Sequence, residues 1–330
     1  LGANIGRGVS VGGPWRAAFP TNRRRLFYNS WFTASAAVIL SSRAEINSLV
    51  NKLGKTKLAG VMGWPITHSR SPLLHNYWLR ELSIDGAYLP FPVKPDNIEM
   101  ALRALPILGI SGVNLTVPHK ELAMTICDHI DPIGKRIGAV NTILVNEDGS
   151  LSGTNTDAFG FLENLKTEST WCASAGPALV LGAGGAARAI IAALLDDGVS
   201  DVRIANRTLS RAHALADEFG TAVTSVAWDN VTGAMNGTAL LVNATMLGMT
   251  GQSDLDINLN DLPESAVVYD IVYSPLETTL LCKAKTRGNP IVDGLGMLLH
   301  QARPGFGAWF GKDPKVSRNL RAHILKDLTA

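Results

Sequence analysis

Ala178-Leu179-Val180-Leu181 is a wholly apolar run that leads straight into Gly182-Ala183-Gly184-Gly185-Ala186-Ala187, and an alanine-rich stretch follows as far as Leu195. The order reads as a buried strand, a tight glycine turn and a helix. Gly182 permits the turn, Gly184 lets backbone N–H groups come close to an anion, and Ala187 lets the helix pack tightly on the strand. The helix N-terminus supplies partial positive charge. Such a turn cradles a dinucleotide pyrophosphate, with Gly182, Ala183, Gly184, Gly185 and Ala186 as its candidate contacts. A G-x-G-x-x-A match alone is weak, because a plain glycine-rich turn has the same pattern. Its context strengthens it.

The next strand, Val202 to Ala205, ends in Asn206-Arg207-Thr208, with Arg211 one helical turn later. An NAD site usually places a carboxylate near this point to accept from the ribose hydroxyl, and a carboxylate would repel a ribose phosphate. Arg207 and Arg211 offer planar donors to that phosphate instead, and Thr208 is placed both to cap the following helix and to donate. Two arginines could also simply open a solvated helix. Positive charge at a helix N-terminus is unfavourable unless an anion meets it, so the pattern favours NADP as the cofactor.

Outward from this core the chain alternates short β-type runs with amphipathic helical stretches, the texture of an α/β protein. Candidate strands are Leu58 to Met62, Ala87 to Phe91, Gly112 to Thr116 and Thr142 to Asn146, then Ala178 to Leu181, Val202 to Ala205, Leu240 to Asn243, Val267 to Val272 and Ile291 to Val292. Phe159 to Lys166 reads as a helix and Thr167 to Pro177 as a loop, which puts a domain boundary near Asp157. The 330 residues are 46% hydrophobic, enough for a large core in roughly two domains.

Residues 1 to 44 hold six arginines (Arg7, Arg16, Arg23, Arg24, Arg25, Arg43) and no Asp, Glu or Lys; removing these charges from the net +2 leaves −4 for the remainder. A mildly acidic body excludes a large nucleic-acid surface, which needs clustered positive charge. The basic stretch before Trp31 to Leu40 superficially resembles a secretory or twin-arginine signal, and an organelle transit peptide has similar composition. The favoured expectation is an extension, residues 1 to 56, that does not fold. No run reaches the ~18 apolar residues of a membrane span, so no membrane association is expected. Cys127, Cys172 and Cys282 are odd in number and far apart, which fits reduced thiols in a cytoplasmic protein.

Three polar strand ends complete the candidate chemistry. In Gly63-Trp64-Pro65-Ile66-Thr67-His68-Ser69-Arg70-Ser71-Pro72, Ser71 has the position of an N-cap and Pro72 that of the first helical residue. Ser69 aims a second hydroxyl at the same helix mouth, where a small carboxylate is favoured. In Asn114-Leu115-Thr116-Val117-Pro118-His119-Lys120-Glu121, Asn114 and Thr116 share a strand face and a helix starts at Pro118. Lys120 then lies in a first helical turn, where a cation gains nothing from the dipole. Gly153-Thr154-Asn155-Thr156-Asp157 brings a carboxylate to the expected boundary, beside Asn141. Taken singly, Ser71 is a plain cap, Lys120 a surface lysine and Asp157 a helix cap.

Taken together, these segments resemble shikimate dehydrogenase, from about Lys57 to about Phe310. The likeness also rests on Gly138-Ala139-Val140-Asn141-Thr142, Asn243-Ala244-Thr245, Asp270 to Pro275 and Asp293 to Gln301. The resemblance implies that Ser69 and Ser71 hold the substrate carboxylate. It implies that Asn114, Thr116, Asn141, Tyr273 and Gln301 surround the ring, and that Lys120 and Asp157 form the catalytic pair. Asn243 and Thr245, in a loop ending the third strand of the cofactor domain, and Gly294 with Met297 would lie on the nicotinamide side. Two domains are implied: residues 57–157 with 294–330 binding substrate, and 158–293 a Rossmann NADP(H)-binding domain. The implied reaction is reversible reduction of 3-dehydroshikimate to shikimate by a monomer or homodimer that requires no metal.

Hydride delivered to a ketone carbon leaves a developing alkoxide, which needs a proton donor or positive group beside it. Lys120 suits that role, with Asp157 orienting it. Two rivals remain open at this level: a quinate or broader polyol-acid dehydrogenase on the same scaffold, whose relatives often prefer NAD, and a non-catalytic NADP-binding regulator. One local departure is expected. Pro304, Gly305 and Gly307 should interrupt the helix that follows Gln301.

Overall fold

The computed structural model describes residues 56–328, all within one unit, Gly54–Ala330. The basic extension expected to be unfolded therefore lies outside the described residues, apart from Thr56. Among the described residues no helix is long and apolar enough to cross a membrane.

Among the described residues twelve strands form two six-stranded sheets. The first contains β1 (Lys57–Gly63), β2 (Gly86–Pro92), β3 (Ile110–Leu115), β4 (His129–Ile130), β5 (Thr142–Val145) and β6 (Leu151–Thr154), in the order β2-β1-β3-β5-β6-β4. β1 pairs in parallel with β2 and β3, while β5 runs antiparallel to β3 and β6. The second contains β7 (Ala178–Leu181), β8 (Val202–Ala205), β9 (Val223–Val226), β10 (Leu240–Asn243), β11 (Val267–Asp270) and β12 (Ile291–Val292). Its order, β12-β11-β10-β7-β8-β9, is parallel throughout. β7 and β10 are fully buried, as apolar runs with helices on both faces should be.

This second sheet is doubly wound, and the direction of winding reverses between β7 and β10. Ligands bind such sheets beyond the carboxyl ends of the strands at that reversal. Because all six strands are parallel, the residues following β7, β8, β10, β11 and β12 share one edge.

Helices pack around the two sheets. They include α1 (Ser71–Glu81), the single turn α2 (His119–Leu122), α3 (Asp157–Glu168), α4 (Gly185–Asp196), α5 (Leu209–Phe219), α6 (Gly294–Phe310) and α7 (Arg318–Leu328). α3 and α6 touch so closely that a Cβ on Gly160 would lie 2.5 Å from Cβ of Gln301, and one on Gly296 would lie 1.6 Å from Oδ1 of Asn164. Asn164 donates to the Tyr269 hydroxyl at 2.7 Å and to the Asp293 carbonyl at 2.9 Å, tying α3 to the second sheet.

The expected break after Gln301 does not occur: α6 runs unbroken from Gly294 to Phe310 with Pro304 inside it. An internal proline costs ~3 kcal/mol. Phe306, Trp309 and Phe310 are buried beyond it, and each such side chain contributes roughly 1.5–3 kcal/mol on burial. Trp309 also donates from Nε1 to the Ile143 carbonyl at 3.0 Å. Gly305 is required at its place because a Cβ there would lie 2.8 Å from the Trp309 ring. Tertiary packing thus outweighs the local rule.

Candidate active site

A cavity of about 260 Å³ is lined by residues at strand ends of both sheets and by α3 and α6. From the first sheet, the loop after β1 brings Ser69, Arg70 and Ser71, the end of β3 brings Asn114, Leu115 and Thr116, and α2 brings Lys120. Asn141 precedes β5, and Asp157 opens α3. The opposite wall is Ala186, Ile271, Tyr273, Gly294, Met297, Leu298 and Gln301. All nine residues expected to bind or transform substrate line this one space, together with Ala186, Gly294 and Met297 from the expected cofactor set.

Lys120 Nζ donates to Asp157 Oδ2 at 2.5 Å, and Asn141 Nδ2 donates to Asp157 Oδ1 at 2.8 Å, so both carboxylate oxygens are engaged. The aspartate sits in the first turn of α3, where the dipole favours negative charge. Its backbone N–H is capped by the side chain of Asn155 at 2.9 Å. The Lys120 carbonyl accepts from the Val140 N–H at 2.8 Å, which fixes α2 against the segment carrying Asn141. The side chains of Lys120 and Asp157 are 29% and 12% exposed, open enough to meet a ligand.

A buried polar network supports this pair. Asn141 Oδ1 accepts from the Thr156 N–H at 2.9 Å and from the Thr142 hydroxyl at 2.9 Å. Asn114 Nδ2 donates to Thr142 Oγ1 at 3.0 Å and to the Asn141 carbonyl at 3.2 Å, and its Oδ1 accepts from the Tyr88 hydroxyl at 2.6 Å. Both donors of Asn114 are therefore spent inside the protein. Burial pushes the Tyr88 phenol well above its ordinary pKa, against a hydrogen bond from the Ser71 side chain that lowers it. Tyr88, Thr142, Asn155 and Thr156 were not among the expected site residues. Their roles depend on partners in other elements, and only the polar cluster Asn155-Thr156 signalled them.

The helix starts differ from the expected caps. Ser71 is the first residue of α1 and Arg70 stands at the N-cap; Ser69 Oγ accepts from the Ser71 N–H at 3.3 Å, so the capping role moves two residues upstream. Pro118 precedes the single turn α2 rather than opening it, because the preceding residues bond back to β1 through Thr116 N–H to the Met62 carbonyl at 3.0 Å. Thr208 occupies the N-cap of α5, but its hydroxyl makes no capping bond.

On the second sheet Gly182 has φ +117°, and a Cβ there would lie 3.1 Å from the Ala244 carbonyl oxygen. The β7 turn thus meets the β10 loop at the winding reversal, and only glycine fits between them. At Gly184 and Gly185 an added Cβ meets nothing within 4 Å, so protein packing does not account for these two glycines. Ala187 is fully buried against the sheet. No acidic residue occupies the first turn of α4. Asn206 Nδ2 donates to the Thr208 carbonyl at 2.9 Å, shaping the next strand end, where Arg207, Thr208 and Arg211 are exposed. Among the described residues neither Arg207 nor Arg211 pairs with a carboxylate. The edge fits the pyrophosphate and ribose phosphate of a dinucleotide.

Asn243 has no exposed surface. Its side chain bonds the Leu247 carbonyl at 3.1 Å, Asp270 Oδ1 at 2.9 Å, and the N–H and hydroxyl of Thr245 at 3.0 and 2.7 Å, so it shapes the loop after β10. Asp270 links β10 to β11 by accepting also from the Val272 N–H at 3.0 Å and the Thr278 hydroxyl at 2.6 Å. Burial pushes its carboxyl up to about 6 against these bonds. Among the described residues no group of His, Cys, Asp or Glu is arranged to hold a metal ion.

Residues 61–143 match the family model for the shikimate dehydrogenase substrate binding domain, and residues 168–271 match that for shikimate / quinate 5-dehydrogenase. The chain is 59% identical over 273 residues to a shikimate dehydrogenase (NADP(+)) of Paramagnetospirillum magneticum, covering 82% of this chain and 99% of that one. A crystal structure of shikimate 5-dehydrogenase from Thermus thermophilus, in complex with NADP(H) and shikimate, is similar with a TM-score of 0.74 at 38% identity, over 82% of this chain and 99% of that one. Quinate dehydrogenase from Corynebacterium glutamicum in complex with NAD is similar with a TM-score of 0.77 at 29% identity, over 82% and 99%.

Proposed function

The chain belongs to the shikimate dehydrogenase family, and from that premise we propose that it interconverts 3-dehydroshikimate and shikimate with NADP(H), using Lys120 and Asp157 as its catalytic pair. The observation that carries this reading is the 2.5 Å contact between Lys120 and Asp157 on the wall of a cavity that also holds Ser69, Ser71, Thr116 and Gln301. The bound cofactor supplies or accepts the hydride. Lys120 Nζ holds the proton that the developing alkoxide needs, and Asp157 keeps the ammonium aimed into the cavity. Asn141 fixes the carboxylate's second oxygen, which holds the carboxylate toward Lys120. Ser69 and Ser71 present hydroxyls to the substrate carboxylate, while Thr116, Tyr273 and Gln301 contact the ring.

NADP over NAD follows from Arg207 and Arg211, exposed and with no carboxylate beside them, at the end of the strand next to the Gly182 turn. Residues 57–157 with 294–330 form the substrate-binding domain in this reading, and 158–293 the cofactor domain, in line with the two sheets. The protein acts on small molecules in the cytoplasm as a monomer or homodimer, without nucleic-acid or membrane partners; its unpaired cysteines support a reducing compartment.

Steady-state oxidation of shikimate and of quinate, each with NADP and with NAD, tests the reading. Shikimate with NADP should give the highest kcat/KM. Turnover of neither substrate would refute the enzyme assignment, and a higher kcat/KM for quinate with NAD would refute the specificity.

A further inference from the structure

The helix Pro132–Ile137 ends at Gly138, whose φ of +70° closes it with a left-handed turn. The carbonyl of the last residue of a helix has no partner inside it and carries partial negative charge. Arg188 meets it: its Nε donates to the Ile137 carbonyl. The guanidinium lies so close over Gly138 that a Cβ there would stand 2.9 Å from a terminal nitrogen. Arg188 comes from the first turn of α4, directly after Ala187 of the glycine turn, where a cation gains nothing from the dipole. Its two terminal nitrogens are taken by the carboxylate of Glu218 in α5, one of them at 2.8 Å. Each nitrogen of this guanidinium is thus held within the protein, which marks it as a brace and not a cofactor ligand.

The residues after Gly138 grip the catalytic pair. The Ala139 carbonyl accepts from Asn155 Nδ2 at 2.9 Å, the Val140 N–H donates to the Lys120 carbonyl at 2.8 Å, and Asn141 Nδ2 donates to Asp157 Oδ1 at 2.8 Å. Ile137 and Ala139 belong to the apolar cluster that includes Ala187 and Ile191 of α4, whereas Val140 belongs to that of Val113 and Ile143 in the first sheet. Apolar burial holds the segment close but is non-directional. The bond from Arg188 fixes which way the Ile137 peptide faces, and so how the chain enters the Ala139–Asn141 stretch.

We propose that Arg188 is a positioning residue, which ties the helix of the dinucleotide turn to the Ala139–Asn141 segment and through it aligns Lys120 and Asp157 with the bound cofactor. The inference rests on the functional reading above, since it takes Lys120 and Asp157 as the catalytic pair, and adds a residue to that site. A brace of this kind acts on the alignment of the reacting groups, so it acts on kcat and leaves NADP affinity unchanged.

The test measures oxidation of shikimate with NADP in the wild-type chain, Arg188→Met, Arg188→Lys and Glu218→Gln, each also combined with Asn141→Ala, alongside fluorescence titration of NADP. Arg188→Met keeps the side-chain length and removes its donors; it should lower kcat about 10- to 100-fold, the cost of a small misplacement of reacting groups, with the dissociation constant for NADP near that of the wild type. Arg188→Lys restores the charge without the planar fork and should recover part of kcat. Glu218→Gln, at an exposed position, loosens the same guanidinium and should lower kcat by less. Asn141→Ala already cuts the route to Asp157, so its combination with Arg188→Met should lose well under the product of the two single losses. Losses that multiply would overturn the proposal, as would a loss confined to NADP affinity. So would an unchanged kcat in Arg188→Met or, where that chain does not fold, in Glu218→Gln. A wild-type chain that oxidises no shikimate would refute the functional reading itself, and this inference with it.

Discussion

Lys120 and Asp157 are 37 residues apart in the chain and 2.5 Å apart in space, Nζ to Oδ2. The contact joins a one-turn helix to the first turn of α3, and both are pinned to the Asn141 segment, through the Val140 N–H and the Asn141 amide. A proton donor held this way loses little freedom when substrate arrives. Lys120→Ala should lower kcat by roughly 100- to 10,000-fold, the usual span for a removed general acid, and Asp157→Asn should lower it in the same direction. NADPH absorbance during turnover measures both. A loss confined to KM would contradict the catalytic role.

Arg207 offers a charged donor where a ribose phosphate would lie. Arg207→Ala should raise KM for NADP roughly 10- to 100-fold, as expected for a lost hydrogen bond to a charged group, and barely change KM for NAD. Equal losses with the two cofactors would show that Arg207 serves the fold or the shared part of the dinucleotide.

Gly182 and Gly184 should respond in opposite ways to the same substitution. Gly182→Ala forces a side chain to φ +117° and to 3.1 Å from the Ala244 carbonyl, so the melting temperature should fall along with cofactor binding. Gly184→Ala meets no protein atom within 4 Å and keeps a φ of −99°. It should leave the melting temperature intact while weakening NADP binding by about tenfold, or about 1.4 kcal/mol. Thermal unfolding and fluorescence titration separate the two. Unchanged NADP binding in Gly184→Ala would dismiss the pyrophosphate cradle.

His75 lies fully buried, stacked on Tyr88 with ring centroids 3.9 Å apart, and among the described residues neither ring nitrogen has a hydrogen-bond partner. Burial lowers its pKa from 6.5 to about 3. As pH falls below 6.5 the unfolded chain takes up a proton that the folded imidazole refuses until about pH 3. Its stability contribution is present above 6.5 and is lost toward 3, at up to about 1.4 kcal/mol per pH unit. His75→Phe keeps a stacked ring and removes the titration, so the urea midpoint should fall less steeply from about pH 7 to about pH 4. Matching slopes in variant and wild type would exclude His75 as the cause.

Much of the second sheet was legible because buried parallel strands are short apolar runs. β7, β8, β10 and β12 have the bounds that the sequence pattern predicts. Three strands were not legible: His129–Ile130 and Val223–Val226 at sheet edges and Leu151–Thr154 inside the first sheet. Each mixes polar and apolar residues, and pairing with a neighbour is what defines them.

The same division runs through the site. Residue types and spacing were enough to single out the Gly182 turn and Arg207, because a glycine turn and a missing carboxylate are local departures with a physical cost; Lys120 and Asp157, a surface lysine and a helix cap when taken singly, were paired only by the family resemblance. Which charges cancel was decided only in three dimensions. Lys120 meets Asp157, Arg70 faces Asp327 of the final helix, Asn243 is withdrawn into the loop it shapes, and α6 passes through Pro304 without a break. Local chemistry determines what a short segment prefers; the partner that satisfies or overrides the preference comes from elements tens to hundreds of residues away, and packing alone selects it.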